Sequence, residues 1–411
     1  MTQLHPETQP DGGVGTLQEQ FLQHFDHHDK RLGGVRTEVF RALRDVPIRW
    51  SDSYGGFWLV SGYDEARYVM QHSDLFSTAP SVNIPAGLGQ KQPMLPLEVD
   101  PPDHVKYRAL LAPAFSPQRM RLMTAQIEEL AGELLDRVVG LGRADFFDQF
   151  ADPLPVRIFV RIMGLPAEDI PRFTRWKNVL LHGHADDPDG TVRAAASDEL
   201  NDYLLALIRA RRAAPGEDLL SAIVHADVDG ERLTDDELLG MTFLLFVAGL
   251  DTVSSSIALQ LLFLATHPRH SAELVANLHD PRFLDSAVEE LLRFNSLILL
   301  ARTATRDAEL FGVGVKAGDR VLVNTISANL DPREFAQPDD VDLRREPNRN
   351  VAFGAGPHRC PGSHLARIEL AIVHRLVHER IPEYSLDPDA DIHFHFGSVA
   401  GLDSLPLVWT S

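Results

Sequence analysis

Cysteine is almost absent from this sequence, since Cys360 is the only one among 411 residues. A lone cysteine excludes an intrachain disulfide, a zinc site built on paired cysteines, and an iron–sulfur cluster held by four cysteines. Such a composition suits a reducing compartment. We therefore expect a cytoplasmic protein.

Positive charge is also scarce. Lys and Arg number 39 against 59 Asp and Glu, which gives a formal net charge of −20 with His neutral. A nucleic-acid binder needs a basic face to meet phosphates, so the charge argues against that class. The content of 44% hydrophobic and 24% charged residues is that of an ordinary globular protein.

The longest strongly apolar stretch of the sequence is too short to span a bilayer. This stretch, 241–250, ends at Asp251, and the polar first 20 residues lack the basic start and apolar centre of a signal peptide. There is no internal repeat and no linker of low complexity. We predict one domain over residues 16–411 after a flexible segment, 1–15, with no membrane or nucleic-acid partner.

Helical periodicity dominates the chain, and the predicted fold class is mainly α with a minor β portion. We predict helices at 16–28, 36–45, 64–72, 117–140, 152–163, 167–182, 192–212, 217–225, 281–295 and 363–379, and strands at 57–61, 302–306 and 320–324. The longest helix follows a capping-box pattern at Thr234 and runs to about residue 267. A Pro- and Gly-rich stretch, 77–99, is predicted to be a long functional loop.

Two pairs of histidines resemble metal ligands but receive plainer interpretations. His182 and His184 are two residues apart and do not share a helix face, so we interpret them as part of a polar loop. His393 and His395 alternate with phenylalanines, which is the pattern of an amphipathic strand.

The most informative stretch is Phe353–Gly362, where the only thiol directly precedes an apolar helical pattern. Free backbone N–H groups at a helix start stabilise a thiolate, so we expect them to lower the pKa of Cys360. The three glycines of this stretch leave room for a flat group to approach the backbone. Two alternatives stay open: a buried inert thiol, and a nucleophilic cysteine with His358 as its base.

Polar residues also interrupt the longest predicted helix. Gly249 and the pair Asp251–Thr252 lie in an apolar run, at a cost in helix propensity and desolvation. A hydroxyl and a carboxylate beside a helix groove indicate an oxygen-binding site with a proton relay, and an internally satisfied kink is the alternative. A third pattern, Glu290–Arg293, indicates little by itself because such ion pairs are common on surfaces.

Together and in this order, the three stretches resemble the cytochrome P450 superfamily, the heme-thiolate monooxygenases. Phe353–Gly362 matches the family pattern F-G-x-G-x-H-x-C-x-G, Ala248–Thr252 matches A/G-G-x-D/E-T, and Glu290–Arg293 matches ExxR. The chain is most similar to bacterial class I members such as the camphor hydroxylase. The resemblance implies the P450 fold, a triangular and mostly helical single domain with small β-sheets.

The resemblance also implies roles for individual residues around heme b. Cys360 would be the axial iron ligand, Asp251 and Thr252 would deliver protons during oxygen activation, and Asn350 stands where many relatives have a propionate-contacting His. The residues implied to pair with the heme propionates are His104, Arg108, Arg302 and His358. Further heme contacts are implied for Ala248, Gly249, Phe353 and Gly362. A structural triad is implied for Glu290, Arg293 and Arg345.

The implied activity is hydroxylation of a hydrophobic molecule, terpenoid-like or another natural product. Ring closure, desaturation and epoxidation use the same oxidant and remain alternatives. Similarity to the camphor enzyme suggests an apolar substrate pocket formed by Met94, Leu244, Val247, Ile298, Leu300 and Val399.

Electrons must come from other proteins, because the chain contains no flavin or ferredoxin module. The resemblance implies a [2Fe–2S] ferredoxin and an NAD(P)H-dependent ferredoxin reductase. Arg67, Arg108 and Arg367 are predicted to form the basic patch that steers the ferredoxin.

Overall fold

The computed structural model describes residues 14–410 apart from 183–186, 188 and 229. Its helices are α1 (Val14–Gln23), α2 (Arg36–Ala42), α3 (Tyr63–Gln71), α4 (Asp103–Leu111), α5 (Pro117–Arg121), α6 (Thr124–Val138), α7 (Pro153–Met163), α8 (Ile170–His182), α9 (Thr191–Ala213), α10 (Leu219–Val224), α11 (Asp235–Thr266), α12 (Pro268–Ala276), α13 (Pro281–Phe294), α14 (Thr325–Ala328) and α15 (Ser363–Arg380). The mainly helical prediction is confirmed.

The strands are short and form small sheets at the edges of the helical layers. They are β1 (Ile48–Ser51), β2 (Phe57–Val60), β3 (Phe76–Ser77), β4 (Arg143–Asp145), β5 (Asp227–Val228), β6 (Glu231–Arg232), β7 (Leu299–Ala304), β8 (Ala308–Leu310), β9 (Val313–Val315), β10 (Arg320–Asn324), β11 (Tyr384–Leu386), β12 (Phe394–His395), β13 (Gly401–Leu402) and β14 (Pro406–Trp409). The largest described sheet has the order β1-β2-β10-β7-β3, in which only the β2–β10 pair is parallel.

Helix α11 is the centre of the molecule. Its capping box is present as predicted: the Thr234 hydroxyl accepts from the Glu237 N–H at 3.3 Å, and the Glu237 carboxylate accepts from the Thr234 N–H at 2.8 Å. In the described part of the chain, α11 alone is long and apolar enough to span a membrane, but 78% of its most apolar window is buried inside the molecule. Its apolar character therefore reflects a position in the protein core.

Several predicted boundaries need correction. The helix predicted over 117–140 is broken into α5 and α6 near Met123, and the strand predicted at 302–306 is β7, which begins three residues earlier. β7 follows its pairing with β10, where Leu299 lies opposite Asn324 and Arg302 opposite Val321. The burial that β7 gains by pairing with β10 in this register outweighs the local sequence pattern from which the strand was predicted.

Two predicted loop or flexible segments also differ. Helix α1 already begins at Val14, whereas residues 1–13 of the predicted flexible segment lie outside the described residues. His182 is the last residue of α8 and not part of a loop, and His184 lies outside the described residues. The long loop at 77–99 is confirmed, because only Ser77 belongs to a strand.

Candidate active site

A cavity of about 310 Å³ separates α11 from the loop that carries Cys360. Ala248, Gly249 and Thr252 of α11 lie on one side, and Phe353, Gly354, His358, Cys360 and Gly362 lie on the other. The remaining walls are largely apolar and come from α7, β7 and the loop before α4. The structure thus brings the first and second sequence patterns face to face.

The cysteine loop is held in shape by its own backbone and by α3. The Cys360 N–H donates to the Phe353 carbonyl at 2.9 Å, which closes the loop just before α15. Gly356 has a φ of 71°, and a Cβ added there would lie 2.4 Å from the Met70 carbonyl oxygen of α3. Because only glycine tolerates both conditions, residue 356 fixes the approach of the loop to α3.

The electrostatic environment of Cys360 differs from the prediction. Burial raises the pKa of the thiol, and this effect outweighs the Gly362 N–H and the nearby Arg108, which favour the thiolate. The expectation of a lowered pKa was wrong because it counted the helix start and not the burial. A metal ion bound to Cys360 would supply the missing positive charge, since a coordinating thiol is deprotonated by the metal.

Two arginines and two histidines line the edge of the cavity as predicted: Arg108, Arg302, His104 and His358. The His104 and His358 ring centroids are 4.3 Å apart, and both ring nitrogens of the buried His104 have no partner. Burial and the neighbouring positive groups lower the pKa of His104 to about 4. Buried polar atoms are normally hydrogen-bonded, so this edge requires an anionic acceptor such as the two propionates of heme.

Arg302 also has few hydrogen-bond partners for a buried side chain. Its side chain is buried, and the hydrogen bond observed for it within the described structure runs from Nη1 to the carbonyl of the preceding Ala301 at 2.8 Å. Burial lowers the pKa of Arg302 to about 10. Two arginines and two histidines, with both nitrogens of His104 lacking a partner, lie beside an apolar cavity and a thiol and fit a flat dianionic iron porphyrin.

Asp100 was not among the predicted site residues, although it belongs to the stretch that begins α4. Its carboxylate accepts from the Thr78 N–H at 3.1 Å and lies 3.5 Å from His358 Nε2. Burial opposes its ionisation, but the bonds to His358, Ser77 and Thr78 lower its pKa to about 2. Asp100 therefore orients His358 at the cavity edge.

The two polar residues of α11 point in different directions. The Thr252 hydroxyl donates to the Ala248 carbonyl one turn earlier at 3.0 Å, and Thr252 lines the cavity. Asp251 is fully buried on the other side of α11, where its Oδ1 lies 2.9 Å from His182 Nε2 and 3.9 Å from Lys177 Nζ. Its Oδ2 has no partner.

Charge neighbours keep Asp251 ionised at this depth. Burial raises its pKa, yet His182, His395 and Lys177 together hold the pKa well below its usual range. Lys177 is bound in turn by Asp152. Sequence patterns did not predict this cluster, because its members belong to segments that only the tertiary fold brings together.

Three of the six residues predicted for the substrate pocket lie at the cavity. Leu244, Ile298 and Leu300 line the cavity. Within the described structure, Met94, Val247 and Val399 are not part of the lining. The sequence analysis did not predict the aromatic and aliphatic lining residues of α7 and α10, which are Phe159, Met163 and Leu219.

Each misplaced residue has a physical reason for its position. Met94 is buried in the core, and its N–H donates to Glu98 Oε2 at 2.9 Å. Val247 lies four residues before Asp251 on the helix face turned away from the cavity. Val399 pairs through its backbone with Ile298 and packs in the core beneath it.

The third sequence pattern forms a buried charge network. Arg293 donates from Nη2 and Nε to both oxygens of Glu290 at 2.7 and 2.8 Å, and both side chains are fully buried. Arg345 donates from Nε to the same carboxylate at 2.9 and 3.0 Å. The remaining Arg293 N–H groups donate to the carbonyls of residues 329, 338 and 340. The predicted triad contacts are confirmed.

The neighbouring acid, Glu289, has a separate set of partners. It pairs with Arg367, and it accepts from Asn350 Nδ2 at 3.0 Å. Arg367 is therefore largely neutralised, which weakens its predicted part in a basic patch. Asn350 is turned toward Glu289 and is not one of the cavity-lining residues within the described structure.

Comparisons with known proteins agree with this geometry. The cytochrome P450 family model matches residues 184–379. The cytochrome P450 monooxygenase PikC of Streptomyces venezuelae is 37% identical over 364 residues, 86% of this chain and 85% of that protein. A steroid C26-monooxygenase of Mycobacterium tuberculosis is 34% identical over 368 residues, covering 86% and 95%.

Comparison with solved structures shows that the similarity includes the fold. The crystal structure of CYP109E1 from Bacillus megaterium in complex with testosterone superposes with a TM-score of 0.85 at 29% identity, covering 93% of this chain and all of that chain. The neighbour thus matches nearly every element described above.

A half-buried thiol that faces a threonine across a largely apolar cavity, with arginine and histidine side chains at the cavity edge, is the arrangement of a heme-thiolate protein. The chain belongs to the cytochrome P450 family. It is a P450 monooxygenase that binds heme b through a cysteine thiolate.

Proposed function

We propose that this P450 hydroxylates a compact hydrophobic molecule, a terpenoid, a steroid or a similar natural product, using O₂ and two electrons from a [2Fe–2S] ferredoxin. The observation that carries the proposal is the apolar wall opposite Cys360, formed by Leu244, Ile298 and Leu300 with Phe159 and Met163. A wall of this kind holds its ligand mainly by shape and desolvation.

Cys360 is the residue proposed to bind the iron, with the propionates held by the two arginines and two histidines at the cavity edge. Bound in this way, the heme supplies the oxygen chemistry of the family. Thr252 is proposed to hold a proton at its hydroxyl on the cavity side, and Asp251 to hold one at its carboxylate behind α11. The apolar side chains that line the cavity exclude water from it. Glu290, Arg293 and Arg345 are proposed to be folding residues.

The substrate class is tested with a ligand panel on the heme-loaded protein. Terpenoids, steroids such as testosterone, and macrolides are added in turn, and spin-state shifts of the Soret band give the dissociation constants. We expect micromolar binding of at least one compact apolar compound, with a hydroxylated product when ferredoxin, reductase and NAD(P)H are added. Binding of only polar compounds would contradict the proposal, and a cyclised, desaturated or epoxidised product would replace hydroxylation.

Two variants show whether the ligand occupies the proposed wall. Leu244→Ala removes apolar contact from the cavity and should weaken binding of the best ligand about tenfold, as expected for a few lost methylene contacts. Val247→Ala removes similar apolar volume from the face of α11 turned away from the cavity, so it is the matched control. Equal effects of both changes would place the ligand elsewhere.

The ferredoxin surface is proposed to lie on the Cys360 side. Arg121 and Arg359 are exposed there and both act electrostatically on His364. Arg108, from the original patch, is half-buried at the cavity edge, and its Nη2 donates to the Arg359 carbonyl. Arg67, also from that patch, is exposed. The exposed cations of this side give an acidic ferredoxin a local target on a chain of net charge −20.

Reversal of one exposed charge tests this surface. Arg121→Glu should slow reduction by ferredoxin several-fold at low salt and less at high salt, because screening removes long-range attraction. Arg232→Glu, in the β5–β6 hairpin, is the control with the same charge change. A loss that is independent of salt would contradict steering. We further propose that residues 16–411 act as one domain in the cytoplasm.

A further inference from the structure

A row of titratable side chains connects Asp251 with the protein surface. His182 at the end of α8 contacts Asp251 Oδ1 through Nε2, and its own side chain is 18% exposed. The His395 ring of β12 stacks on the His182 ring with centroids 4.0 Å apart and planes 26° apart. His395 Nδ1 is bonded to Asp403 Oδ1 at 2.8 Å, and Asp403 is half exposed.

The backbone around His395 is shaped to accept the ring. Gly401 lies opposite His395 in the β12–β13 pair, and a Cβ at Gly401 would lie 2.5 Å from His395 Nε2 and 2.3 Å from Ser255 Oγ. Both of these polar atoms are buried without a partner. The ring is thus pressed against α11 one turn beyond Asp251, where a larger residue at 401 would displace it.

A metal site is a poorer explanation of the same cluster. Ligand atoms of His182, His395 and Asp403 lie within 4.8 Å of one another. However, the lone pairs of two nearly parallel stacked rings do not converge on one point, as tetrahedral coordination requires. His182 Nε2 and His395 Nδ1 are also already bonded to carboxylates. The arrangement suits proton exchange better than chelation.

We propose that His182 passes protons from solvent to Asp251, and that the His395–Asp403 pair positions the His182 ring for this transfer. The inference rests on the proposed role of Asp251 and Thr252 in proton delivery. In each transfer, the Nε2–H bond of the His182 imidazolium breaks and an O–H bond forms on the Asp251 carboxylate. The neutral His182 keeps its Nδ1–H and has its free lone pair at Nε2, so the ring turns Nε2 toward solvent to take up the next proton and then turns back to Asp251. The electrons come from the ferredoxin.

The charges around His182 favour this direction. Burial lowers its pKa, but Asp251 of α11 more than offsets this, and with Asp403 beyond β13 it raises the pKa above the ordinary value of 6.5. Lys177, on α8 itself, acts in the opposite sense. His395 of β12 is the remaining titratable neighbour in the described structure. The raised pKa favours the protonated form of His182, which is the form that can donate to Asp251.

Two substitutions at residue 182 separate proton transfer from simple charge pairing. His182→Gln removes both charge and titration, whereas His182→Arg keeps a cation beside Asp251 that does not release its proton. We expect both variants to lower coupled turnover about tenfold or more, within the range for a lost proton-transfer group. In both, the solvent deuterium isotope effect on oxygen consumption should rise. A His182→Arg variant with the turnover and isotope effect of the wild type would overturn the proposal.

The pH dependence of turnover distinguishes proton transfer by His182 from a purely structural role, because a structural role would not change it. Wild-type turnover should fall as pH rises through the pKa of His182, and this alkaline limb should be absent in both His182 variants. Asp403→Asn removes a charge that raises the pKa of His182, so it should move the limb to lower pH. His393→Gln, at an exposed histidine two residues from His395, is the control and should leave the limb in place.

These experiments use the heme-loaded protein with testosterone, or with the panel compound that gives the largest spin-state shift. Spectra of the reduced protein under carbon monoxide confirm an intact site in each variant. Thr252→Ala is run in parallel. If Thr252→Ala leaves coupling unchanged, the proposed function of the acid–alcohol pair fails. If it uncouples while the His182 variants match the wild type, only the His182 proposal fails.

Discussion

The two walls of the active-site cavity are built in different ways. The wall with Cys360 is one short loop, closed by the Cys360–Phe353 hydrogen bond and seated on α3 through Gly356. The wall with Thr252 is a long helix whose buried carboxylate, Asp251, depends on charges from α8 and from β12. The first takes its shape from a local hydrogen bond and its position from one contact with α3, whereas the second depends on charges from distant segments.

The histidines of the two walls show the same contrast. In α15, which follows the cysteine loop, burial lowers the pKa of His374 to about 3 and of His378 to about 4, so both are neutral in the folded protein. Behind α11, Asp251 raises the pKa of His182 against the effect of burial. One wall excludes charge from its histidines and the other retains it, so acid should affect the two walls differently.

The largest expected effect comes from the thiol itself. Cys360→Ser should abolish the strongly red-shifted Soret band of the reduced protein under carbon monoxide, because serine is not a thiolate donor to iron. The heme content of the purified variant, measured separately, shows whether the cavity edge still holds the cofactor. A retained red-shifted band would contradict the assignment of Cys360 as the axial ligand.

Disrupting the buried triad of Glu290, Arg293 and Arg345 should give the next largest effect. We expect a loss of stability on the side of the cavity that carries Cys360. Glu290→Gln leaves Arg293 and Arg345 without their carboxylate, which should lower the free energy of unfolding by about 3–5 kcal/mol. The exposed pair Arg161–Glu129 provides the control, since Glu129→Gln should cost less than about 1 kcal/mol. Chemical denaturation of the heme-loaded protein measures both, and equal costs would contradict the structural role.

Acid should destabilise the α15 side selectively. A histidine with a lowered pKa in the folded state binds its proton more readily when unfolded, so its contribution to stability is lost as pH falls below about 6.5. Between pH 7 and pH 5 this amounts to about 2 kcal/mol for His374. His182 has a raised pKa in the folded state, so its ion pair with Asp251 is favoured and not lost as pH falls over this range.

Denaturation of His374→Gln at the two pH values checks this difference. The glutamine keeps a polar group beside Gln260, to which His374 is bonded at 2.7 Å. The loss of stability on acidification should be smaller than in the wild type by about 2 kcal/mol. His279→Gln, at a histidine with 79% exposure, should leave that loss unchanged. A full acid-induced loss in His374→Gln would contradict the prediction.

The smallest expected effect is chemical and leaves the fold intact. Thr252→Ala should lower the coupling of reductant consumption to product about tenfold and release hydrogen peroxide, because the hydroxyl on the cavity side is lost. Thr266→Ala is a matched control on α11, since its hydroxyl also donates to the carbonyl four residues earlier, at 2.9 Å. Unchanged coupling in Thr252→Ala would remove Thr252 from proton delivery.

The contrast between the walls explains what could be predicted from sequence. The cysteine loop, the triad and the four side chains at the cavity edge were recognised because spacing and family motifs identify them. His182, Lys177 and Asp152 were missed because each is an ordinary polar residue on its own helix or turn, and their meeting at Asp251 is set by helix packing. Val247 was misplaced for a related reason, since similarity gives a position in the sequence and not the face of α11.

The close contact between Gly356 and α3 has a consequence for how the protein is made. Helix α3 leaves the ribosome before the loop that packs on it, since the two are separated by most of the site residues in the chain. A nascent chain that has not reached the cysteine loop therefore holds only part of the cofactor cradle. Such a chain, terminated before residue 360, has no iron ligand to offer.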